Sequence, residues 1–177
     1  MNELTISEKT KCAIEDVLQE HKIEYKTDEN VYIYKEPFQD DSDLDVLTFA
    51  RADENVNILM ILSIAKTNIK NKRRYEVMDY FNRVNKHVFN GAFILDPDNG
   101  VISFITSIDY KHIPGGVSRE MLDKILRNRL AIISTYLPPA ELMNINKEIT
   151  GKESFDAITW ILDTMEKMVN IKKENQN

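Results

Sequence analysis

The chain has 177 residues, of which 42% are hydrophobic and 29% are charged, a composition typical of one globular domain with a sizeable core. Its formal net charge of −6 gives no overall electrostatic support for binding nucleic acid. A single cysteine, Cys12, excludes an internal disulfide and a cysteine-based zinc site, and no apolar run is long enough to span a membrane. We therefore expect a cytoplasmic protein that binds neither nucleic acid nor membrane.

The first predicted element is a helix over residues 7–22. Ser7 is a suitable N-cap, and the apolar residues that follow it recur at helical spacing. Cys12 sits beside these apolar residues, so we expect it to be a small buried residue rather than a nucleophile. The helix should present one apolar face to the core.

Three strands are predicted next, over residues 30–38, 43–52 and 55–65, because these stretches are rich in β-branched and aromatic residues. The third strand is apolar on both faces. One face carries Ile58, Met60, Leu62 and Ile64, and the other carries Leu59, Ile61 and Ala65. A strand of this kind is normally covered on both sides. We therefore expect a cover beyond one layer of helices, either the C-terminal helix or a second subunit.

A second helix is predicted over residues 73–87, and a hairpin over residues 88–96 and 101–109 follows it. The acidic sequence DPDNG separates the two strands of the hairpin. It does not match the spacing of a calcium-binding loop, because its fifth and sixth positions hold Gly100 and Val101. We therefore predict a hairpin turn here rather than a metal site.

Two loop lengths fit this turn. A two-residue loop would pair Leu95 with Phe104, whereas a four-residue loop would pair Leu95 with Ile102. Both lengths are even, so both place the same residues on each face. The apolar face carries Phe89, Phe93, Leu95, Ile102, Phe104 and Ile108. The opposite face is mixed, as a partner-binding surface would be, and its candidate binding residues are Ile94, Val101 and Ile105.

A third helix is predicted to begin after its N-cap, Ser118, and to stop at Pro138 and Pro139, because proline lacks the N–H that a helix interior needs. We divide the chain into an α+β domain over residues 1–150 and a C-terminal amphipathic helix with a polar tail over residues 151–177. The C-terminal helix is expected to pack on the same domain or on a dimer partner. The predicted order is α-β-β-β-α-β-β-α plus this helix, which indicates an α+β fold on an antiparallel sheet.

No catalytic, cofactor-binding or metal-binding residue is predicted. His21, His87 and His112 are the only histidines, and their spacing matches no metal or catalytic motif. Asn82 and Asn85 lie three residues apart on one face of the second helix, and Asn85 falls on its apolar stripe. Because a buried amide must be hydrogen-bonded, the pair is predicted to be a structural polar brace.

The stretch YFNRVNKHVFNGAFILDPDNGVISFITSIDY, residues 80–110, resembles the core of the YbjN-like family. The shared features are an N-x-x-N pattern at a helix end, here Asn82 and Asn85, and a glycine followed by an apolar strand, here residues 91–95. The resemblance extends over residues 5–165. It implies the fold of type III secretion chaperones, which are often dimeric, and the family has no established catalytic residues.

We therefore expect a non-enzymatic protein-binding or regulatory module of YbjN-like type. It is expected to form a homodimer, to bind a further protein partner and to need no cofactor. One alternative is a dedicated chaperone of the type III secretion kind, which would be encoded beside its secreted substrate. Another alternative is a small-molecule sensor with a cavity near Asn85, Gly115 and Gly116.

Overall fold

The computed structural model describes residues 4–37, 44–146, 148 and 150–160. In that part of the chain, six strands form one antiparallel sheet in the spatial order β1-β2-β3-β4-β6-β5. The strands are β1 Tyr25–Asp28, β2 Val31–Lys35, β3 Val46–Asp53, β4 Ile58–Asn68, β5 Ala92–Leu95 and β6 Val101–Asp109. The helices are α1 Ile6–Glu20, α2 Arg74–Val84, preceded by a 3-10 turn Asn71–Arg73, and α3 Arg119–Ile145. The predicted α+β class with an antiparallel sheet is confirmed.

The three helices α1, α2 and α3 pack against one face of the sheet, and two apolar clusters fill the space between the layers. One cluster joins α1 and the first half of α3 to the central strands, with Val17 and Leu59 fully buried in it. The other joins α2 and the second half of α3 to β5 and β6. There, the rings of Phe81 and Phe93 stack with their centroids 4.7 Å apart. None of the described helices is both long and apolar enough to cross a membrane.

The sheet has one strand more than the sequence predicts before α2. Strand β1 is short, lies at the edge of the sheet and is mostly exposed, so it lacks the apolar alternation that marks a strand. It is joined to β2 by the two residues Glu29 and Asn30, with φ of 44° and 70°. Two consecutive positive φ values belong to the tight hairpin turns in which asparagine is favoured. Asn30 was therefore the available sequence signal for this hairpin.

Helix α1 begins earlier than predicted. Thr5 is its N-cap: the Thr5 hydroxyl accepts a hydrogen bond from the Glu8 N–H, and the Glu8 carboxylate accepts one from the Thr5 N–H. The predicted N-cap, Ser7, was wrong and is buried inside the helix. The expected burial of Cys12 was also wrong, because Cys12 is exposed. It precedes the buried Ala13, and one residue turns a helix by about 100°, which carries Cys12 off the buried stripe.

Helix α3 continues through Pro138 and Pro139, so the predicted stop was wrong. A proline inside a helix removes a backbone hydrogen bond and costs about 3 kcal/mol. The turns beyond the prolines bury Ala140 and Met143 in the core. Arg73 also donates from Nε to the Met143 carbonyl at 2.8 Å. This packing offsets the cost of the prolines, as tertiary contacts often override helix propensity.

The turn of the β5–β6 hairpin has the longer of the two predicted loops, because Leu95 pairs with Ile102. The Asp96 carboxylate accepts hydrogen bonds from the backbone N–H groups of Asp98 at 2.8 Å and Asn99 at 3.3 Å. The acidic residue therefore closes the turn by bonding the local backbone, as aspartate commonly does.

Strand β5 begins at Ala92, four residues later than predicted. Gly91 just before it has a φ of 155°, and a Cβ there would lie 2.6 Å from the ring of Phe104. The chain therefore enters the sheet only after this glycine. Phe89 consequently lies outside the sheet and is 96% exposed, so its predicted place on the apolar face was wrong.

Residues 151–160 are helical and lie on the helical side of the molecule. A Cβ at Gly151 would lie 2.4 Å from the Glu76 carbonyl of α2, the Phe155 ring lies 5.2 Å from that of His87, and Ile158 joins the core cluster around α2. The remainder of the predicted C-terminal helix and tail, residues 161–177, lies outside the described residues. The division of the chain near residue 150 stays a prediction.

Candidate functional site: the open face of the sheet

The two faces of β4 are equally apolar but differently covered. Leu59 and Ile61 are fully buried beneath the helices, whereas Met60 is 40% exposed and Leu62 is half-buried. All described helices lie on the side of Leu59, where their apolar residues form the two core clusters. Within the described ranges, no helix provides the second cover that the sequence led us to expect.

We define the open face as the side chains of β2 to β6 that point away from the helices. A row of paired residues crosses it from strand to strand: Ile33 pairs with Phe49, Phe49 with Leu62, and Leu62 with Ile105. The apolar centre of the open face consists of Val31, Ile33, Leu47, Phe49, Ile58, Met60, Leu62, Ile64, Ala92, Ile94, Val101 and Ile105. Such a contiguous apolar patch, when exposed, marks a surface for interaction.

The charged residues of the open face lie at its two ends. Its lysine end carries Lys35 and Lys66, both paired with Asp45. Its aspartate end carries Asp53 and Asp109, with Arg51 paired to Asp53 at 3.0 Å. One end is therefore net positive and the other net negative, while the centre is apolar.

The three residues predicted as the partner-binding surface all lie on the open face. Ile94 is 47% exposed on the edge strand β5, and Val101 and Ile105 are half-buried on the neighbouring β6. The larger part of the face, on β2, β3 and β4, was missing from that prediction. Its signal in the sequence was the second apolar side of β4, which the helices leave uncovered.

The predicted brace residues have different surroundings. Asn85 ends α2, and its side-chain amide donates to the Phe93 carbonyl at 2.9 Å and accepts from the Phe93 N–H at 2.8 Å. Asn82 is exposed. Gly116 lies against α1, where a Cβ would be 2.7 Å from the Thr10 hydroxyl. Asn85 and Gly116 thus contact different elements, and the fold does not bring them together as the sensor alternative requires.

Sequence reasoning missed a polar cluster on the covered face. Arg129 of α3 is 2% exposed, and its guanidinium donates to the Ile61 carbonyl at 3.2 Å, the Thr106 hydroxyl at 2.7 Å and the Ser63 hydroxyl at 2.5 Å. Burial lowers the pKa of Arg129, and the nearby Glu36 carboxylate opposes that shift. The signal was positional, because residue 129 falls on the apolar stripe of α3 between Leu122 and Ile133.

The Glu36 carboxylate completes this cluster. Its side chain is 5% exposed and lies 4.0 Å from the Arg129 guanidinium. Its Oε1 atom accepts hydrogen bonds from the hydroxyls of Thr48 at 2.5 Å and Ser63 at 3.0 Å. In the part of the chain that the structure describes, no group of acidic, histidine or cysteine side chains is arranged to hold a metal ion. Hydrogen bonds of the cluster thus connect Glu36, the residue after β2, with β3, β4, β6 and α3.

Comparison with known proteins finds a matching family and a similar solved structure. A family model matches residues 11–141, and the family, YbjN, is described as "Putative bacterial sensory transduction regulator". Among solved structures, the chain is similar to YbjN from E. coli, described as "a putative transcription regulator", with a TM-score of 0.55 and 12% identity. That match covers 74% of this chain and 90% of the other, and at this identity it shows the fold alone. No curated protein matches the chain.

Proposed function

The chain belongs to the YbjN family, and we propose that it is a non-enzymatic regulatory module of the cytoplasm that acts by protein–protein contact through the open face. The observation that carries this proposal is the arrangement of the open face itself. An apolar centre bounded by charged residues is the typical anatomy of a protein interface. The description of the family as a regulator of sensory transduction supports the regulatory part.

The size of the open face suits this role. With strands about 4.8 Å apart and residues about 3.4 Å apart along each strand, five strands and seven residues span roughly 19 by 20 Å. This patch of about 400 Å² is comparable with the largest apolar patches of monomeric proteins, which are often functional. The residues of the apolar centre carry no charge, and the neighbouring Arg51 is paired with Asp53, so the centre has no net charge to oppose burial.

We infer that the first occupant of the open face is a second copy of this chain. Two sheets can pack face to face about 10 Å apart. If a two-fold axis lies in the interface and runs across the strands, the lysine end of one protomer faces the aspartate end of the other. Lys35 and Lys66 would then oppose Asp53 and Asp109 of the second copy. The distribution of charge is therefore self-complementary, which favours a homodimer.

Light scattering coupled to size-exclusion chromatography tests this proposal. The wild-type chain at micromolar concentration is expected to elute with twice its monomer mass of 20.6 kDa. The variant Leu62→Glu, which places a charge at the centre of the open face, is expected to elute as a folded monomer. A matched control is Leu142→Glu, because Leu142 is 52% exposed but lies on α3. This control is expected to stay dimeric.

Two results would contradict the proposed dimer: a monomeric wild-type chain, or a Leu62→Glu variant that remains dimeric. A monomeric wild type would favour the chaperone alternative, in which the same apolar centre holds a segment of a different protein. That alternative is then tested by adding extended apolar peptides to the wild type and to Leu62→Glu, and only the wild type should bind them.

A further inference from the structure

We propose that a cavity on the helical side of the sheet binds a small uncharged carbonyl compound, whose oxygen accepts a hydrogen bond from the Tyr34 hydroxyl. The cavity has a volume of about 70 Å³ and lies where the ends of α1 and β2 meet α3. Tyr34 and Leu126, which line it, belong to the apolar layer between the sheet and the helices. The cavity is therefore separate from the open face and from the proposed dimer contact.

The Tyr34 hydroxyl gives this cavity its chemical preference. The side chain is 3% exposed, and its hydroxyl has no hydrogen-bond partner among the described residues. Burial raises the pKa of Tyr34 well above its ordinary value, and the Glu36 carboxylate adds to this effect while the Arg129 guanidinium opposes it. The hydroxyl therefore keeps its proton at neutral pH. Because a buried donor without a partner costs free energy, the cavity favours a ligand that supplies an acceptor.

Tyr34 differs in this respect from the other buried tyrosines of the described chain. Each of those donates a hydrogen bond, at 2.8 or 2.9 Å, to a protein acceptor: Tyr32 to the Glu15 carboxylate, Tyr80 to the Tyr136 carbonyl and Tyr110 to the Asp53 carbonyl. A buried tyrosine hydroxyl usually has such a partner. Tyr34 instead lines the cavity, so we assign its acceptor to a ligand there.

The charged residues that line the cavity favour an uncharged ligand. They include two carboxylates, Glu36 and Asp123. Hydrogen bonds from His21, the largest influence, and from Arg127 lower the pKa of Asp123, so it is ionised at neutral pH. A carboxylate ligand could accept from Tyr34 but would be repelled by these two groups. An ammonium group has no lone pair with which to accept from the hydroxyl.

Size and the apolar lining restrict the ligand further. A buried water requires about 10–15 Å³ of such volume, so the cavity has room for a ligand of roughly five to seven non-hydrogen atoms. Ile23, Leu126 and Leu130 offer an apolar wall for a short alkyl chain. The geometry thus points to a short-chain ketone or aldehyde whose oxygen accepts from Tyr34 and whose chain lies against the leucines.

Three probes of similar size and shape test the preference for an uncharged acceptor. Butanone, propionate and sec-butylammonium are titrated into the full-length protein at pH 7, and binding is followed by backbone amide chemical shifts. Butanone is expected to bind with a dissociation constant on the order of millimolar, as suits so small a ligand. It should shift the signals of Ile23, Leu126 and Leu130, and should bind roughly fivefold or more tightly than either charged probe. No butanone shifts at these residues, or equal binding of a charged probe, would overturn the proposal.

The variant Tyr34→Phe tests the hydroxyl itself, because it keeps the ring and removes only the donor. It is expected to weaken butanone binding roughly fivefold or more. Tyr110→Phe is the matched control, since Tyr110 is buried in the same apolar cluster but donates to the Asp53 carbonyl outside the cavity. This control should bind butanone as the wild type does. Unchanged binding in folded Tyr34→Phe would overturn the assignment.

Thermal unfolding without ligand tests the same hydroxyl independently of butanone. Tyr34→Phe should unfold at the same temperature as the wild type or at a higher one, because it removes a buried donor that has no partner. Tyr110→Phe should unfold at a lower temperature, because it leaves the Asp53 carbonyl without its donor. An equal decrease in the two variants would show that the protein itself satisfies the Tyr34 hydroxyl, and would overturn the proposal.

The variant Leu126→Trp tests the place of binding. The larger side chain fills the cavity while the Tyr34 hydroxyl stays, so butanone binding should be lost. Retained binding in folded Leu126→Trp would overturn the assignment to this cavity. Failure of the dimer test would leave all these results unaffected, because Tyr34 and Leu126 lie on the helical side of the sheet.

Discussion

The covered and open faces of the sheet are built from the same strands and nearly the same residue types, yet the described helices bury only one of them. On the covered face, Leu59 and Ile61 are fully buried and Arg129 is locked into hydrogen bonds. On the open face, Met60 and Ile94 are 40% and 47% exposed. The comparison shows that apolar residues on a strand predict that their face will be covered, but do not identify what covers it. Substitutions on the two faces should therefore separate folding from assembly.

The largest effect is expected from Arg129→Ala on the covered face. This change leaves the buried Glu36 without its cation and removes three hydrogen bonds, so the free energy of unfolding should fall by about 3–5 kcal/mol. Urea denaturation measures it. The control, Arg127→Ala, lies two residues away with a side chain 68% exposed, and should cost no more than about 1 kcal/mol. Similar losses in the two variants would show that the cluster does not stabilise the covered face.

The contrast between the faces is sharpest at two neighbours in β4. Ile61→Ala opens a cavity beneath the helices and should lower the free energy of unfolding by about 2–5 kcal/mol. Leu62→Ala removes a similar side chain from the open face. In the Ile105→Glu background, which is expected to be monomeric, Leu62→Ala should lower the free energy of unfolding by less than about 1 kcal/mol. Denaturation of each variant against its own parent provides the measurement. Equal losses of unfolding free energy at the two positions would contradict the distinction between the faces.

A smaller effect is expected where α2 is tied to the edge of the sheet. Asn85→Ala removes both hydrogen bonds to the backbone of Phe93 and should cost about 1–2 kcal/mol of stability. Asn82→Ala changes an exposed residue of the same helix, so its effect should stay within about 0.5 kcal/mol. Thermal unfolding of the two variants compares them, and a larger loss for Asn82→Ala would contradict the bracing role of Asn85.

The smallest expected effect is at the turn, away from both faces. Hydrogen bonds from the backbone of Asp98 and Asn99 lower the pKa of Asp96. A carboxyl whose pKa is lower in the folded state stabilises the fold above its unfolded pKa of about 3.9, and this contribution is lost as the pH falls through the folded pKa. An NMR titration of the side-chain carboxyl carbon should give Asp96 a pKa below about 3.9. A pKa at or above that value would contradict the turn geometry.

Much of the fold follows from periodicity that can be read from the sequence. Alternation in residues 55–65 and 101–109 placed the strands and the two faces, and the even loop length fixed which side of the hairpin holds Ile94 and Ile105. The misses have local causes. Strand β1 is held in the sheet by its pairing with β2 and has no apolar alternation of its own that would predict it. Helix α3 continues past Pro138 because its next turns are buried in the core.

The candidate site was only partly predictable, for a physical reason. Whether the second face of β4 is covered depends on where every helix packs, which is a property of the whole fold. Glu36 and Arg129 are far apart in the sequence, so no local sequence pattern predicts that they pair. An arginine at residue 129 on an apolar stripe was a sufficient reason to look for a buried acidic partner.

The central claim, that the open face is the contact between two copies of the chain, is tested most directly by intermolecular nuclear Overhauser effects. One half of a mixed sample carries labelled isoleucine and leucine methyl groups, and the other half is unlabelled. We predict cross-peaks between protomers for Ile33, Leu62 and Ile105, and none for Leu59 or Ile61, which lie beneath the helices. A dimer whose cross-peaks avoid Leu62 and Ile105, or a sample with no intermolecular cross-peaks, would contradict the account.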